Sequence, residues 1–280
     1  MASLLLGLLA AFSWAVHDLC VRKVSAAEGT FASLVSVLTL GTLVALPFAL
    51  AWGAASEAPT EAYVRAFAAG LVYGVAGLGL YKALEIGPVR LVAPIIGAYP
   101  IISMGWAAYT GSPLTLFHWA AVFVVIGGVA FIAMSSDDGA SDGSKGAAIF
   151  WSLVSGPSFA IAFALSQSAT VLADEWTMML PFRVAAIVMV MALAVLWRTS
   201  LLPRIGSLWI FAIMGTLDLI AISAVSAAGS LPYPEFAAVA ASTFGLITVV
   251  LATIFMGERM RVPQWAAVLA VFVAIGSLGI

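Results

Sequence analysis

Asp218 is the residue with the most chemistry to offer, because it lies in the middle of an apolar run, MGTLDLIAIS (Met214–Ser223). An ionisable group at mid-bilayer depth is disfavoured by about 2.5–3.5 kcal/mol on insertion scales, so its presence calls for a reason. Two reasons are open. Asp218 can face a wet cavity and exchange a proton or pair with a cation, or it can be a protonated structural carboxyl bonded to a neighbouring helix. On the first reading Asp218→Asn abolishes proton-dependent work and leaves the fold intact. His17 is the second candidate for proton exchange.

Near the amino terminus Trp14, His17 and Asp18 are spaced i, i+3 and i+4, hence share one helical face. His17 equally suits a neutral interhelical hydrogen bond. Asp18 is one turn from Arg22, and an ion pair between them is its simplest role. Trp14 lies deep in its run, where an indole N–H needs a partner, so a cavity wall suits it better than lipid. A second stripe, Tyr73, Gly77 and Tyr81, repeats at i, i+4 and i+8.

Pro94 and Pro100 bracket Tyr99; Ser242, Thr243, Phe244 and Gly245 follow one another; Gly156-Pro157 precedes Phe159. Proline and glycine free backbone groups, which is tolerable at membrane depth only where protein or a cavity satisfies them. Pro94, Pro100, Gly156, Pro157 and Gly245 are therefore candidate hinges. The alternative is tight packing through small residues, as in Gly70-x-x-x-Gly74. The candidate cavity wall comprises Trp14, His17, Tyr73, Tyr81, Tyr99, Phe159, Asp218, Ser242 and Phe244. Arg183 is expected to snorkel outward, and Glu258 to cap the last helix or pair with Arg259 or Arg261.

The elements that carry these residues follow from composition. Of 280 residues, 64% are hydrophobic and 9% charged, with a mean hydropathy of +1.15. A soluble domain is about a quarter charged. Lipid must replace the missing polar coat, and a spanning helix needs roughly 20 apolar residues. Ten such runs occupy approximately 3–24, 31–52, 63–83, 89–109, 116–134, 146–168, 177–197, 207–228, 235–256 and 263–280. The one hydrophilic stretch, Ser135–Lys145 (SSDDGASDGSK), reads as a flexible linker. The expected division is a five-helix half over 1–135, a cytoplasmic linker over 136–145, and a second five-helix half over 146–280. The amino terminus lacks the charged start of a signal peptide and reads as a retained first helix.

Of the eleven basic residues, nine follow odd-numbered spans: Arg22, Lys23, Lys82, Arg90, Lys145, Arg198, Arg204, Arg259 and Arg261. Only Arg65 and Arg183 fall to the other side. The positive-inside rule then makes the odd-to-even loops cytoplasmic and puts both termini outside.

The two halves match at an offset of 145–146 residues. Ser13-Trp14-Ala15 falls on Ser158-Phe159-Ala160, Tyr73 on Asp218, and Tyr99-Pro100 on Phe244-Gly245. Gly111–Trp119 (GSPLTLFHW) falls on Gly257–Trp265 (GERMRVPQW), each followed by Ala-Ala-Val. Any one match is what two apolar sequences give by chance; a shared offset is not. An odd number of helices per repeat forces the second copy to insert inverted, and inverted repeats are a transporter architecture with the site near the midplane.

The ten-span layout, Ser13-Trp14, Tyr81-Lys82-Ala83-Leu84 and Gly257-Glu258-Arg259 together resemble the drug/metabolite transporter superfamily. Within it they are similar to the EamA family, and more loosely to the bacterial aromatic amino-acid exporters. The resemblance implies a central cavity lined by helices 1, 3, 4, 6, 8 and 9, with helices 5 and 10 peripheral, in a bacterial cytoplasmic membrane. One departure is visible: the first half has Gly111-Ser112-Pro113 where the second keeps Gly-Glu-Arg, so any role of that glutamate belongs to Glu258 alone.

Other function classes find little to build on. A net charge of −2 and the absence of a basic run leave no nucleic-acid partner. The single cysteine, Cys20, cannot form an internal disulfide, and there is no asparagine to glycosylate. No cofactor motif or metal-ligand set appears. A membrane enzyme would want an HExxH, paired carboxylates or a serine–lysine arrangement, and a channel a polar ring along its pore. The expected ligand has an apolar body and a charged head: an aromatic or large apolar amino acid, or a hydrophobic drug cation.

Overall fold

A chain this apolar must satisfy its backbone groups within each segment, and only helices do so without a closed sheet. The computed structural model describes residues 1–53, 58–87, 92, 95–135, 145–256 and 260–278, which are all helix and short connections. The helices are α1 (Ala2–Glu28), α2 (Thr30–Trp52), α3 (Thr60–Ile86), α4 (Pro100–Tyr109), α5 (Leu116–Ser135), α6 (Lys145–Thr170), α7 (Glu175–Leu196), α8 (Leu208–Ala227), α9a (Glu235–Ala241), α9b (Phe244–Met256) and α10 (Val262–Ser277). Seven helical segments among the described residues are long and apolar enough to cross a membrane, with shorter apolar helices at Leu116–Ile132 and Val262–Ser277. The chain is a multi-pass membrane protein. Pro94, Glu258 and residues 136–144 of the expected linker lie outside the described residues.

Local signals set the boundaries. Asp174 caps α7, its carboxylate accepting from the Thr177 N–H at 2.9 Å and the Thr177 hydroxyl at 2.6 Å. Gly53 ends α2 and Pro59 starts α3. At α10 the Arg261 N–H donates to Gln264 Oε1 at 2.7 Å, so Gln264 serves the role expected of Glu258.

Contacts between the connections define two faces. Glu28 at the end of α1 accepts from the Ser207 hydroxyl at 2.5 Å and the Arg204 N–H at 2.9 Å, and these donors hold its carboxyl below the usual carboxylate range. Thr30 donates to Glu85 at 2.7 Å, and Gln264 Nε2 to Ser135 Oγ at 3.0 Å. These residues bound the connections after α1, α3, α5, α7 and α9b. On the opposite face Ser3 donates to the Pro232 carbonyl at 2.6 Å, and His118 lies 6.2 Å from Tyr233, ring to ring. An aromatic cluster marks each rim. Phe31, Trp151 and Trp197 meet at the first face, and Phe48, Trp52 and Trp176 at the other.

Between the rims α3 lies along α6 and α7, α8 along α1 and α2, and α2 crosses α7. Close approach rests on glycine: a Cβ at Gly41 would stand 2.5 Å from the Gly215 carbonyl oxygen, and one at Gly70 would overlap that of Phe182. Helices α5 and α10 pair outside this core around Val122, Val125 and Val271. The outer faces carry stripes such as Val184, Val188, Met191 and Val195, the apolar surface a bilayer covers.

Candidate functional site

Two helices are broken at mid-depth. The path into α4 turns at Gly97–Tyr99, and Pro100 then occupies the first turn of the helix, where its missing N–H leaves no bond unmade. The α9 segment breaks at Ser242-Thr243, whose hydroxyls donate back to the Val239 and Ala240 carbonyls at 2.8 and 2.6 Å. Helix α6, by contrast, runs unbroken through Gly156 and Pro157.

The breaks deliver Tyr99 and Phe244 to a central pocket of about 40 Å³. Helix α1 supplies Trp14, His17 and Asp18, α3 supplies Tyr73 and Tyr81, α6 Phe159 and Phe163, and α8 Asp218. Of the nine expected wall residues, eight meet here. Ser242 stands apart, buried with its hydroxyl turned to its own helix. Helix α2 adds Leu34, Val37 and Leu38, a wall absent from the six-helix lining expected above.

Asp218 is not isolated. It is 5% exposed, and its Oδ1 accepts from the Tyr73 hydroxyl at 2.5 Å and from Trp14 Nε1 at 3.2 Å. Its Oδ2 lies 2.6 Å from Arg183 Nη1. Arg183 does not snorkel: it is 0% exposed, inside the bundle, on the face of α7 turned to α2 and α8. Gly41 makes room for it, since a Cβ there would sit 3.2 Å from Nη2. Buried charges are tolerated when paired and hydrogen-bonded, and the pair explains both residues. Two guanidinium nitrogens, Nε and Nη2, have no protein acceptor.

The second polar group is a chain toward the first face. Tyr81 OH and His17 Nε2 are 3.2 Å apart, and His17 Nδ1 is 3.2 Å from Asp18 Oδ1. Asp18 thus pairs with His17; the Arg22 side chain is outside the described residues. The apolar wall is a stack of rings. Phe163 lies 5.6 Å from Trp14, Tyr99 and Phe159, and Trp14 lies 6.5 Å from Phe159 and from Phe244. Such offset and edge contacts each contribute about 0.5–1.5 kcal/mol beyond area burial.

Sequence reasoning missed Arg183 as a partner and Phe163 as a wall. Phe163 was signalled by its i+4 spacing from Phe159. It also belongs to a second cavity of about 170 Å³ on the opposite face, lined by Ser103, Trp106, Gln167 and Glu235 among others. Phe163 is the residue the two cavities share.

Known proteins resemble this chain in its first half by sequence and along its length by fold. Residues 1–134 match the EamA-like transporter family. No curated protein matches the sequence significantly. Solved structures share the fold: one crystal structure superposes with a TM-score of 0.79 at 15% identity, over 98% of this chain and 94% of its own.

Proposed function

We propose that this chain, whose first half matches the EamA-like transporter family, is a secondary transporter working by alternating access. Its cargo is an aromatic or large apolar amino acid, exported across the cytoplasmic membrane of a bacterium. One observation carries the reading: an aromatic pocket whose wall includes Asp218, with Arg183 buried behind it and paired to it at 2.6 Å. Aromatic walls with few convergent polar groups suit a small ligand with an apolar body and a charged head. Asp218 answers the ammonium of a zwitterion, and Arg183, with two nitrogens free of protein acceptors, answers its carboxylate.

Repeat symmetry supports alternating access. Swapping each helix for its counterpart five places on maps the packing onto itself: α3·α6 onto α8·α1, α3·α7 onto α8·α2, and α2·α7 and α5·α10 onto themselves. Phe31 meets Trp197 at one rim, and their counterparts Trp176 and Trp52 meet at the other. Equivalent contacts at opposite faces are what an in-plane two-fold produces. The breaks at Gly97–Tyr99 and Ser242-Thr243 are counterparts too, and Pro100 and Gly245 sit at the hinge on which the halves rock. The central pocket has space for a few waters at most, so cargo enters as the helices part. Asp218 exchanges a proton in the stage of the cycle after the cargo ammonium has left it and before Arg183 returns, and the His17–Asp18 pair is the relay to the first face.

A hydrophobic cation is the second reading, favoured by ring faces beside Asp218. It leaves Arg183 without a counterion, which is why the zwitterion is preferred. Competition in proteoliposomes decides between them. Phenylalanine, tyrosine or tryptophan at millimolar concentration is expected to inhibit counterflow, and lipophilic cations are not. The opposite ranking replaces the amino acid by the drug.

Burial of Arg183 removes it from the charge count between faces, leaving Arg65 as the one basic residue opposed to nine. The amino and carboxyl termini are thus assigned to the periplasmic side. A reporter active only in the cytoplasm, fused after Ile280, is expected to stay silent. A strong signal reverses the orientation and leaves the fold untouched.

A further inference from the structure

The cavity on the opposite face holds two buried polar atoms that the protein leaves unanswered. Glu235, at the start of α9a, is 5% exposed, and its Oε1 has no hydrogen-bond partner in the protein. Ser103 Oγ, on α4, is buried in the same state, and both residues line this cavity of about 170 Å³. Buried polar groups are almost always satisfied, so two unanswered atoms on residues that line one cavity point to something that answers them when it fills. No lysine or arginine lines the cavity among the described residues, and Glu235 is its only carboxylate. The Gln167 amide nitrogen is already engaged, donating to the Val225 and Pro234 carbonyls at 3.1 and 3.0 Å. Of the other lining hydroxyls, Thr110 and Ser168 donate to backbone carbonyls and Ser112 bonds the Glu235 carboxyl itself. What remains is the second oxygen of that carboxyl, the Ser103 hydroxyl, and the rings of Trp106 and Phe163. A carboxylate beside aromatic faces selects a cation with an apolar body.

We propose that this cavity is a second binding site, taking a primary ammonium with an apolar or aromatic body. Glu235 and Ser103 receive the ammonium, and Trp106 and Phe163 pack the body. Whereas the central pocket pairs Asp218 with Arg183 and answers both ends of a zwitterion, this site answers only the amine end. It rests on the transport reading in one respect: Phe163 separates it from the central pocket, so it lies on the path of the cargo beyond the ring stack.

The test uses the purified full chain and radiolabelled phenethylamine, an ammonium with no carboxylate. Saturable binding is expected, weakened about tenfold or more by Glu235→Gln, the loss of a charge-assisted hydrogen bond. Its neutral N-acetyl derivative is expected not to compete. Equal binding by Glu235→Gln and the parent, or equal competition by the neutral analogue, overturns the site and assigns the amine elsewhere. A second variant avoids dependence on the folding of Glu235→Gln. Ser103→Cys in a Cys20→Ser background should react with a thiol reagent, and phenethylamine should slow that reaction about tenfold at saturation. Reaction at an unchanged rate overturns the proposal. Aromatic amino-acid counterflow is scored separately. Charge-dependent binding without counterflow upholds the site and removes the transport reading; counterflow without amine binding removes the site alone.

Discussion

Asp218→Asn and Arg183→Leu, made singly, are each expected to destabilise the folded protein by about 3–5 kcal/mol, because each strands the other's buried group. The pair is closed at 2.6 Å with Arg183 fully buried, so water cannot replace the missing partner. Made together, the two substitutions remove both charges, and a neutral pair of similar volume is often tolerated. The double variant should therefore recover most of the lost stability, read as thermal unfolding in detergent. Tyr73 and Trp14 still find an acceptor in the asparagine carbonyl. Transport should stay absent in all three, since in each at least one end of the cargo lacks its counterion. Single variants as stable as the parent, or a double variant worse than the sum, would show that the pair carries no coupling energy. This differs from the expectation drawn for an isolated carboxyl, in which Asp218→Asn leaves the fold intact. The guanidinium opposite changes the cost of that substitution.

Much of the candidate pocket's lining was legible in the sequence, for physical reasons. Spans are readable because the bilayer imposes a length and a composition on each one. The pocket residues are readable because a ring, a histidine or a carboxylate is out of place against lipid, so Trp14, His17, Tyr73, Tyr81 and Asp218 turn inward. The repeat offset then placed Tyr73 opposite Asp218, and the two hydrogen-bond at 2.5 Å. Arg183 was misread because a lone arginine in an apolar run has two solutions. It snorkels to a rim if the stem reaches, or turns in if a carboxylate waits at its depth. Its position as the ninth residue of α7, with thirteen more through Leu196, argued for the second. Glu235 and Ser103 were illegible as a pair, because the space between α4 and α9a is created by packing and leaves no periodic trace.

Phe163→Ala is expected to turn coupled exchange into a leak. The ring is 2% exposed and is the wall common to the two cavities, one reaching Asp18 and Tyr81 and the other Ser112 and Glu235. It is held by Trp14, Tyr99 and Phe159, each at a ring separation of 5.6 Å. Three contacts of about 0.5–1.5 kcal/mol each put roughly 1.5–4.5 kcal/mol behind the closed position, about a ten- to thousand-fold bias against opening. Truncation removes that bias and joins the pockets, so cargo crosses without waiting for the halves to rock. In proteoliposomes the parent should show saturable efflux accelerated by cargo on the far side. The variant should show faster basal efflux and lose most of that acceleration. Phe163→Trp, which keeps the stack, should retain coupling even if slower. Because deleting the ring removes packing as well, thermal unfolding is measured in parallel. A stable Phe163→Ala protein whose efflux remains fully accelerated would mean that the path between the faces runs elsewhere. The barrier would then belong to the Asp218–Arg183 pair rather than to the rings.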